Sequence, residues 1–167
     1  LINQANFIYC KKSIDLIGIA MKVSTKGRYA VRFLLDLALH DQSKPVSLNE
    51  IAKRQDISEK YLWQIVAHLK TAGFVSAVSG KRGGFLLAKP PEQISLKDIL
   101  ETLEGNCALV ECVHDPASCK RNATCAAREM WHEVSERIAG VLISVTLADL
   151  ILKSKKRLDQ NVLSYVI

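Results

Sequence analysis

Between Thr25 and His40 the apolar residues Ala30, Phe33, Leu34, Leu37 and Ala38 recur every three or four positions. This predicts an amphipathic helix, broken by Asp41-Gln-Ser-Lys-Pro45. Ser47-Leu-Asn-Glu50 has capping-box spacing and predicts a short helix that begins at Leu48 and stops near Gln55-Asp56. A further helix should start at Ser58, whose hydroxyl can satisfy free amides ahead of Tyr61 and Leu62. Its residues Leu62, Ile65, Val66 and Leu69 share one face and should be buried. Lys60, Gln64, Ala67 and Thr71 point the other way, flanked by Tyr61, Trp63 and His68.

Two short helices joined by a tight turn, the second carrying hydrogen-bond donors on its free side, make a helix-turn-helix. Gly73-Phe-Val-Ser-Ala-Val-Ser79 then reads as a strand, Gly80-Lys-Arg-Gly-Gly84 as a turn and Phe85-Leu-Leu-Ala88 as the returning strand. A hairpin with Lys81 and Arg82 at its tip is a wing, because glycines permit positive φ and let phosphates approach the backbone. Pro90-Pro91 ends it. Ser95-Leu-Lys-Asp98 opens a helix to about Glu104, and a longer helix runs from about Thr124 to Ser144. Ala127, Trp131, Val134, Ile138, Val141 and Val145 are spaced alternately by four and three, a heptad seam that points to a dimer. Thr146-Leu-Ala-Asp149 caps a last short helix. The expected fold is mainly α: a winged helix-turn-helix with a two-stranded wing and a long C-terminal dimerisation helix.

Charge sharpens this division. Residues 21–90 hold twelve Lys/Arg against five Asp/Glu, whereas residues 91–152 hold five against ten, so only the first part suits a polyanion. The organisation expected is an extended or disordered leader at 1–20, a DNA-binding domain at 21–90, a cysteine-rich loop with dimerisation helices at 91–152 and a mobile basic tail at 153–167. Met21 is expected to be the natural initiator, and the isolated Cys10 incidental. The stretch from Ile14 to Ala20 is too short for a signal peptide and carries Asp15, and no apolar run approaches the ~20 residues that span a bilayer. A cytoplasmic protein with no membrane partner is therefore expected.

Cys107, Cys112, Cys119 and Cys125 fall within nineteen residues, spaced C-x4-C-x6-C-x5-C. In a reducing compartment such clusters bind metal or sense redox state more often than they form disulfides. Thiolates are soft donors suited to iron–sulfur clusters, whereas structural zinc sites favour paired C-x2-C knuckles that these gaps do not match. Cluster-free thiol sensing is the other reading. On the DNA side, Gln64 has the donor–acceptor pair for adenine, and Lys60 and His68 can reach guanine or phosphate. Tyr61 and Trp63 suit thymine methyls or sugars. Lys26, Arg28, Tyr29 and Ser58 are candidates for the backbone, with Lys81 and Arg82 on phosphates. No nucleophile–base arrangement is evident, and the glycines of 80–84 lie in a hairpin rather than between a strand and a helix, so an enzyme is not expected.

With these residues in hand, the chain resembles the Rrf-type family of bacterial winged-helix transcriptional regulators, the IscR/NsrR/CymR-like proteins. The resemblance rests on Lys22-Val-Ser-Thr-Lys-Gly-Arg-Tyr-Ala-Val31, Ile57-Ser-Glu-Lys-Tyr-Leu62 with Leu69 and Gly73, the wing Gly80–Ala88, and Cys112, Cys119, Cys125 and Trp131. It implies a homodimer on a near-palindromic operator, acting as a repressor and holding an iron–sulfur cluster on Cys112, Cys119 and Cys125. The expected cluster is [2Fe–2S], with [4Fe–4S] as the alternative. The position three beyond the last cysteine, a histidine ligand in IscR-like members, is Arg128 here, and a guanidinium cannot ligate. Cys107, His114, His132 or a partner carboxylate remain as fourth-ligand candidates. Trp63 stands where IscR carries a glutamate, so operator preference does not carry over. The resemblance also implies a cluster donor or a metabolic enzyme as partner, and a cluster-free thiol or metabolite-responsive regulator of the CymR type is the alternative function.

Overall fold

The computed structural model describes residues 23–40, 43–80 and 82–164, with side chains to Arg157. Expectations for the leader, Cys10, Met21, Lys22 and Lys81 lie outside these residues.

Ser24 caps the first helix, α1 (Thr25–Leu39), by accepting from the Gly27 amide. Ser47 and Glu50 close the expected capping box on α2 (Leu48–Gln55), and Ser58 caps α3 (Glu59–Thr71) through the Tyr61 amide. Each such cap contributes about 1 kcal/mol. Between α2 and α3 the chain turns at Asp56, in the left-handed region at φ 51°. A short polar residue tolerates that conformation better than a branched or bulky one. Ala30, Phe33, Leu34, Ile51, Leu62, Ile65 and Leu69 interlock α1, α2 and α3 in one core. At about 25 cal/mol per Å² of apolar surface, burying each large side chain contributes roughly 1.5–3 kcal/mol before chain entropy is charged against it.

The wing is an antiparallel pair, β1 (Val75–Val78) and β2 (Gly84–Leu87), with Val75 opposite Leu87 and Val78 opposite Gly84. Phe85 also exchanges both backbone hydrogen bonds with Val46, at 3.0 and 2.8 Å, which seats the wing on the entry to α2. Gly84 makes this approach feasible, because a Cβ there would run into the Val46 carbonyl and the Ser47 amide. Gly80, at φ 119°, takes the tip through a conformation L residues avoid.

Pro91–Gln93 forms a single 3₁₀ turn, and Ser95 caps α4 (Leu96–Glu104). The cysteine segment is less irregular than its composition suggests: it holds a one-turn helix α5 (Glu111–His114) and 3₁₀ turns at Pro116–Ser118 and Asn122–Thr124. The long helix follows as α6 (Ala126–Ser144). The last helix corrects expectation. Rather than a short element followed by a tail, α7 runs Leu147–Ser164 and takes in the basic stretch from Lys153. No Gly or Pro interrupts it, and Leu, Lys and Arg are good helix formers. Backbone bonds from Leu96 N to Val145 O and from Leu147 N to Ile94 O, both 2.8 Å, stitch its start to that of α4. Ile94 and Leu147 are fully buried at this seam.

The heptad seam of α6 divides. Ile138 lines a cleft with Val23, Leu100 and Leu142 of its own chain. Trp131, Val134 and Val141 stay exposed, Val141 at 64%, with Met130 exposed beside them. Ser135, the buried residue of α6, accepts from the Leu109 amide at 3.2 Å and donates to the Trp131 carbonyl at 2.7 Å. No described helix is long and apolar enough to cross a membrane.

Candidate functional site

The outward face of α3 presents Lys60, Trp63, Gln64, Ala67, His68 and Thr71 to solvent, opposite the buried Leu62, Ile65, Val66 and Leu69. The helical period read from the sequence therefore separates the two faces as expected. The face is also braced. Trp63, 54% exposed, meets Phe85 of the wing edge-on at 5.7 Å between ring centroids, and Phe85 meets Phe33 of α1 at 6.2 Å. Recognition helix and wing are thus joined through aromatic contacts, each worth about 0.5–1.5 kcal/mol beyond its area. Arg82 is exposed at the wing tip.

The start of α1 flanks this face. Lys26 Nζ lies 3.2 Å from His68 Nε2, while His68 Nδ1 lies 2.7 Å from the Gln64 carbonyl. Since a carbonyl only accepts, Nδ1 carries the proton and Nε2 offers its lone pair to the lysine. Arg28 is exposed and donates to Thr25 Oγ1 at 3.0 Å. Tyr29 and Tyr61 pack edge-on against each other at 5.8 Å, with the Arg32 guanidinium over the Tyr29 ring. Both tyrosines are half-buried and brace α1 on α3, and Ser58 already engages its hydroxyl in the α3 cap. The structure therefore gathers Lys26, Gln64 and His68 into one cluster and Trp63 with the wing into another.

Two charged groups behind this face carry no signal in the sequence pattern. Asp36, 4% exposed, accepts from Arg54 Nη2 and Nε at 2.6 and 3.1 Å and from Gln55 Nε2 at 2.8 Å. The hydrogen bond to Asp36 holds the Arg54 guanidinium's pKa above its ordinary value. Arg32 completes the bracket by donating to the Gln55 carbonyl. Glu104, at the end of α4, accepts from both the amide and the hydroxyl of Ser24. A Ser ahead of a helical run is a recognisable cap signal. The acidic partner eighty residues away is not.

Cys107, Cys112, Cys119 and Cys125 are all free and half-buried. They differ in setting. Cys107 follows α4 in a cleft with Glu104, Leu109, Ile138 and Leu142. Burial, and then the neighbouring Glu101, push its thiol pKa up, partly offset by Lys97. Cys125 stands at the start of α6 beside a separate cleft lined by Arg128, Glu129 and His132. His114 shares a cleft with Cys107 rather than with Cys125. Arg128, three residues beyond Cys125, donates through Nε to the Cys112 carbonyl at 2.9 Å and so ties α5 to α6. Among the described residues no three His, Cys, Asp or Glu side chains converge on one metal position. The donor chemistry of the segment suits an iron–sulfur cluster. Bringing the thiols together would require the segment to rearrange.

Comparison with known proteins aligns nearly all of the described chain. Residues 23–153 match the family described as "Rrf2: Iron-dependent Transcriptional regulator". The protein rrf2 of Nitratidesulfovibrio vulgaris is 41% identical over 130 residues, covering 78% of this chain and 87% of the relative. The HTH-type transcriptional regulator IscR of Photobacterium profundum is 38% identical over 130 residues, covering 78% and 75%. Among solved structures, T. potens IscR superposes with a TM-score of 0.69 at 40% identity, covering 83% of this chain and 91% of that one. CymR, the global cysteine regulator of B. subtilis, superposes with a TM-score of 0.67 at 37% identity, covering 80% and 98%.

Proposed function

This chain belongs to the Rrf2 family of transcriptional regulators, and we propose that it acts as a homodimeric repressor whose hold on a DNA operator is governed by its cysteine segment. It is a DNA-binding regulator and not an enzyme. The observation that carries the finer reading is one of placement. The exposed face of α3 stands beside an exposed wing cation, and α4 joins that module directly to four half-buried free thiols.

On the operator, α3 enters the major groove with Gln64, Lys60 and His68 toward base edges or phosphates. Trp63 offers an apolar surface, and Lys81, Arg82, Lys26 and Arg28 track phosphates. Two copies pair through α6, whose exposed Met130, Val134 and Val141 form an apolar strip without cover in a single chain. The pairing sets the distance between the two recognition helices, and operator symmetry follows from it.

Cys112, Cys119 and Cys125 are the residues that would hold an iron–sulfur cluster, with Cys107, His114 or His132 as fourth-ligand candidates. A bound cluster supplies a redox-active centre labile to oxygen and nitric oxide. The likeness to IscR supports this reading. Arg128 on the Cys112 carbonyl and the separate clefts of Cys107 and Cys125 favour the second reading, a cluster-free thiol regulator like CymR.

Anaerobic purification separates the two. A brown protein containing iron and sulfide, with visible absorbance lost in Cys112→Ala, supports the cluster. Gel-shift titrations should then differ between loaded and metal-free protein. A colourless, iron-free dimer whose DNA affinity changes on thiol oxidation supports the CymR-like reading. Indifference to both treatments refutes control by the cysteine segment.

A further inference from the structure

The segment from Gly105 to Val145, with all four cysteines and α6, leaves the winged-helix core and returns to it. Its return end is held by the backbone bonds between 94–96 and 145–147. Its departing end is held differently. Glu104 Oε1 accepts from the Ser24 amide at 3.1 Å and the Ser24 hydroxyl at 2.8 Å, both at an exposed position. Only Gly105, at φ 88°, and Asn106 separate Glu104 from Cys107.

Gly27 makes this contact feasible. It is buried in the first turn of α1, and a Cβ there would overlap Glu104 Oε1 and come within 2.9 Å of Leu100 Cδ2. Glycine inside a helix costs about 1 kcal/mol relative to alanine, so the first turn carries that penalty where Glu104 lies across it. Ser24 in turn caps α1 through the Gly27 amide. Two residues further on, Lys26 meets His68, and His68 is hydrogen-bonded to Gln64 of the recognition helix. Val23, just before the cap, lines the same cleft as Cys107, Leu109 and Leu142. Short stretches of chain and these hydrogen bonds together therefore link the cysteine segment to the outer face of α3.

We propose that Glu104 is the positioning residue through which rearrangement of the cysteine segment reaches the DNA face, by gripping Ser24 and so fixing Lys26 and His68 against α3. This rests on the reading of the chain as a DNA-binding regulator with a responsive cysteine segment. Glu104 itself touches no DNA. When residues 105–109 move, the carboxylate leaves Ser24, the first turn of α1 loosens, and Lys26 loses its fixed place.

The test uses the full chain with Glu104→Ala, Glu104→Gln and Gly27→Ala, in two arms. In the first, operator affinity is measured across a salt series. Glu104→Ala should weaken binding about tenfold at 0.1 M salt and lower the logarithmic salt slope by about one, the signature of one lost phosphate contact. Glu104→Gln, whose amide oxygen can still accept from Ser24, should stay within about twofold of the parent, since the hydrogen bonds and not the charge do the positioning. Gly27→Ala displaces the carboxylate and also crowds the buried Leu100, so it should weaken operator binding as Glu104→Ala does, with its melting temperature measured alongside to separate out the crowding. A folding defect would not produce that pattern. In the second arm, amide hydrogen exchange at residues 24–28 is followed before and after alkylation of the thiols with iodoacetamide. Exchange should speed up in the parent, and in Glu104→Ala it should be fast already and unresponsive.

A salt-dependent parent with Glu104→Ala and Gly27→Ala indistinguishable from it overturns the proposal while leaving the DNA-binding reading standing. A parent that binds no DNA defeats that reading instead. The exchange arm then decides alone, and unchanged protection at 24–28 after alkylation overturns the proposal.

Discussion

Asp36 is a buried carboxylate in the middle of α1, and removing its arginine partner should leave that charge stranded in the core. Arg54 clasps it through two nitrogens at 2.6 and 3.1 Å, and Gln55 adds a third bond at 2.8 Å. Removing one partner of a buried ion pair costs about 3–5 kcal/mol, because the other charge stays behind uncompensated. Two features lower that figure. Arg54 is 35% exposed, so water already screens the pair, and Gln55 remains on Asp36 when the arginine is gone. We therefore expect Arg54→Leu to lose about 2–3 kcal/mol. In Asp36→Leu/Arg54→Leu no buried charge is left, and most of the loss should return. Urea unfolding at one fixed protein concentration measures both, so that any self-association affects each variant alike. The sum of the single-mutant losses should exceed the double-mutant loss by at least about 1 kcal/mol. Additive losses, or less than about 1 kcal/mol for Arg54→Leu, refute the view that this pair holds α1 to α2.

Other consequences can be checked separately. Arg82→Ala should lower the salt slope of operator binding by about one while leaving the urea midpoint unchanged, because the residue is exposed at the wing tip. Trp63→Ala should weaken operator binding by about 1–2 kcal/mol, read by fluorescence anisotropy of labelled duplex, through loss of both its apolar surface and its brace on Phe85. Val141→Asp should shift the sedimentation equilibrium toward monomer, since it sets a charge in the exposed strip of α6; an unchanged dimer excludes that strip from the interface. The Thr146 amide, then its hydroxyl, hold the Asp149 carboxyl below the usual carboxylate range. Its contribution to stability is therefore present above the ordinary Asp value and lost as pH falls through the lowered one. Acid unfolding of Asp149→Asn should lack that component, and an acid limb identical to the parent's rules out the cap as its source.

The sequence was informative wherever structure is written within three or four residues. Ser47, Ser58, Ser95 and Thr146 each bond to a group three positions on, so spacing alone locates the starts of α2, α3, α4 and α7. The outer face of α3 follows from the helical period, and the wing from its glycines and alternating strands. The cysteine count and spacing likewise pointed to soft-ligand or thiol chemistry.

Tertiary structure alone decided what depends on distant residues meeting. Asp36 and Arg54 are eighteen positions apart, and Ser24 and Glu104 eighty, so neither pair leaves a periodic trace. The seam of α6 could be read as a heptad, but α4 determined that Ile138 faces its own chain while Val134 and Val141 face outward. Tyr29 and Tyr61 have the same donor chemistry on paper as free groove residues, and only their packing places them half inside. Local hydrogen bonds and helical period are fixed by sequence spacing over a few residues. The register of one helix on another is fixed by which side chains fill the shared core, a property of all the elements together.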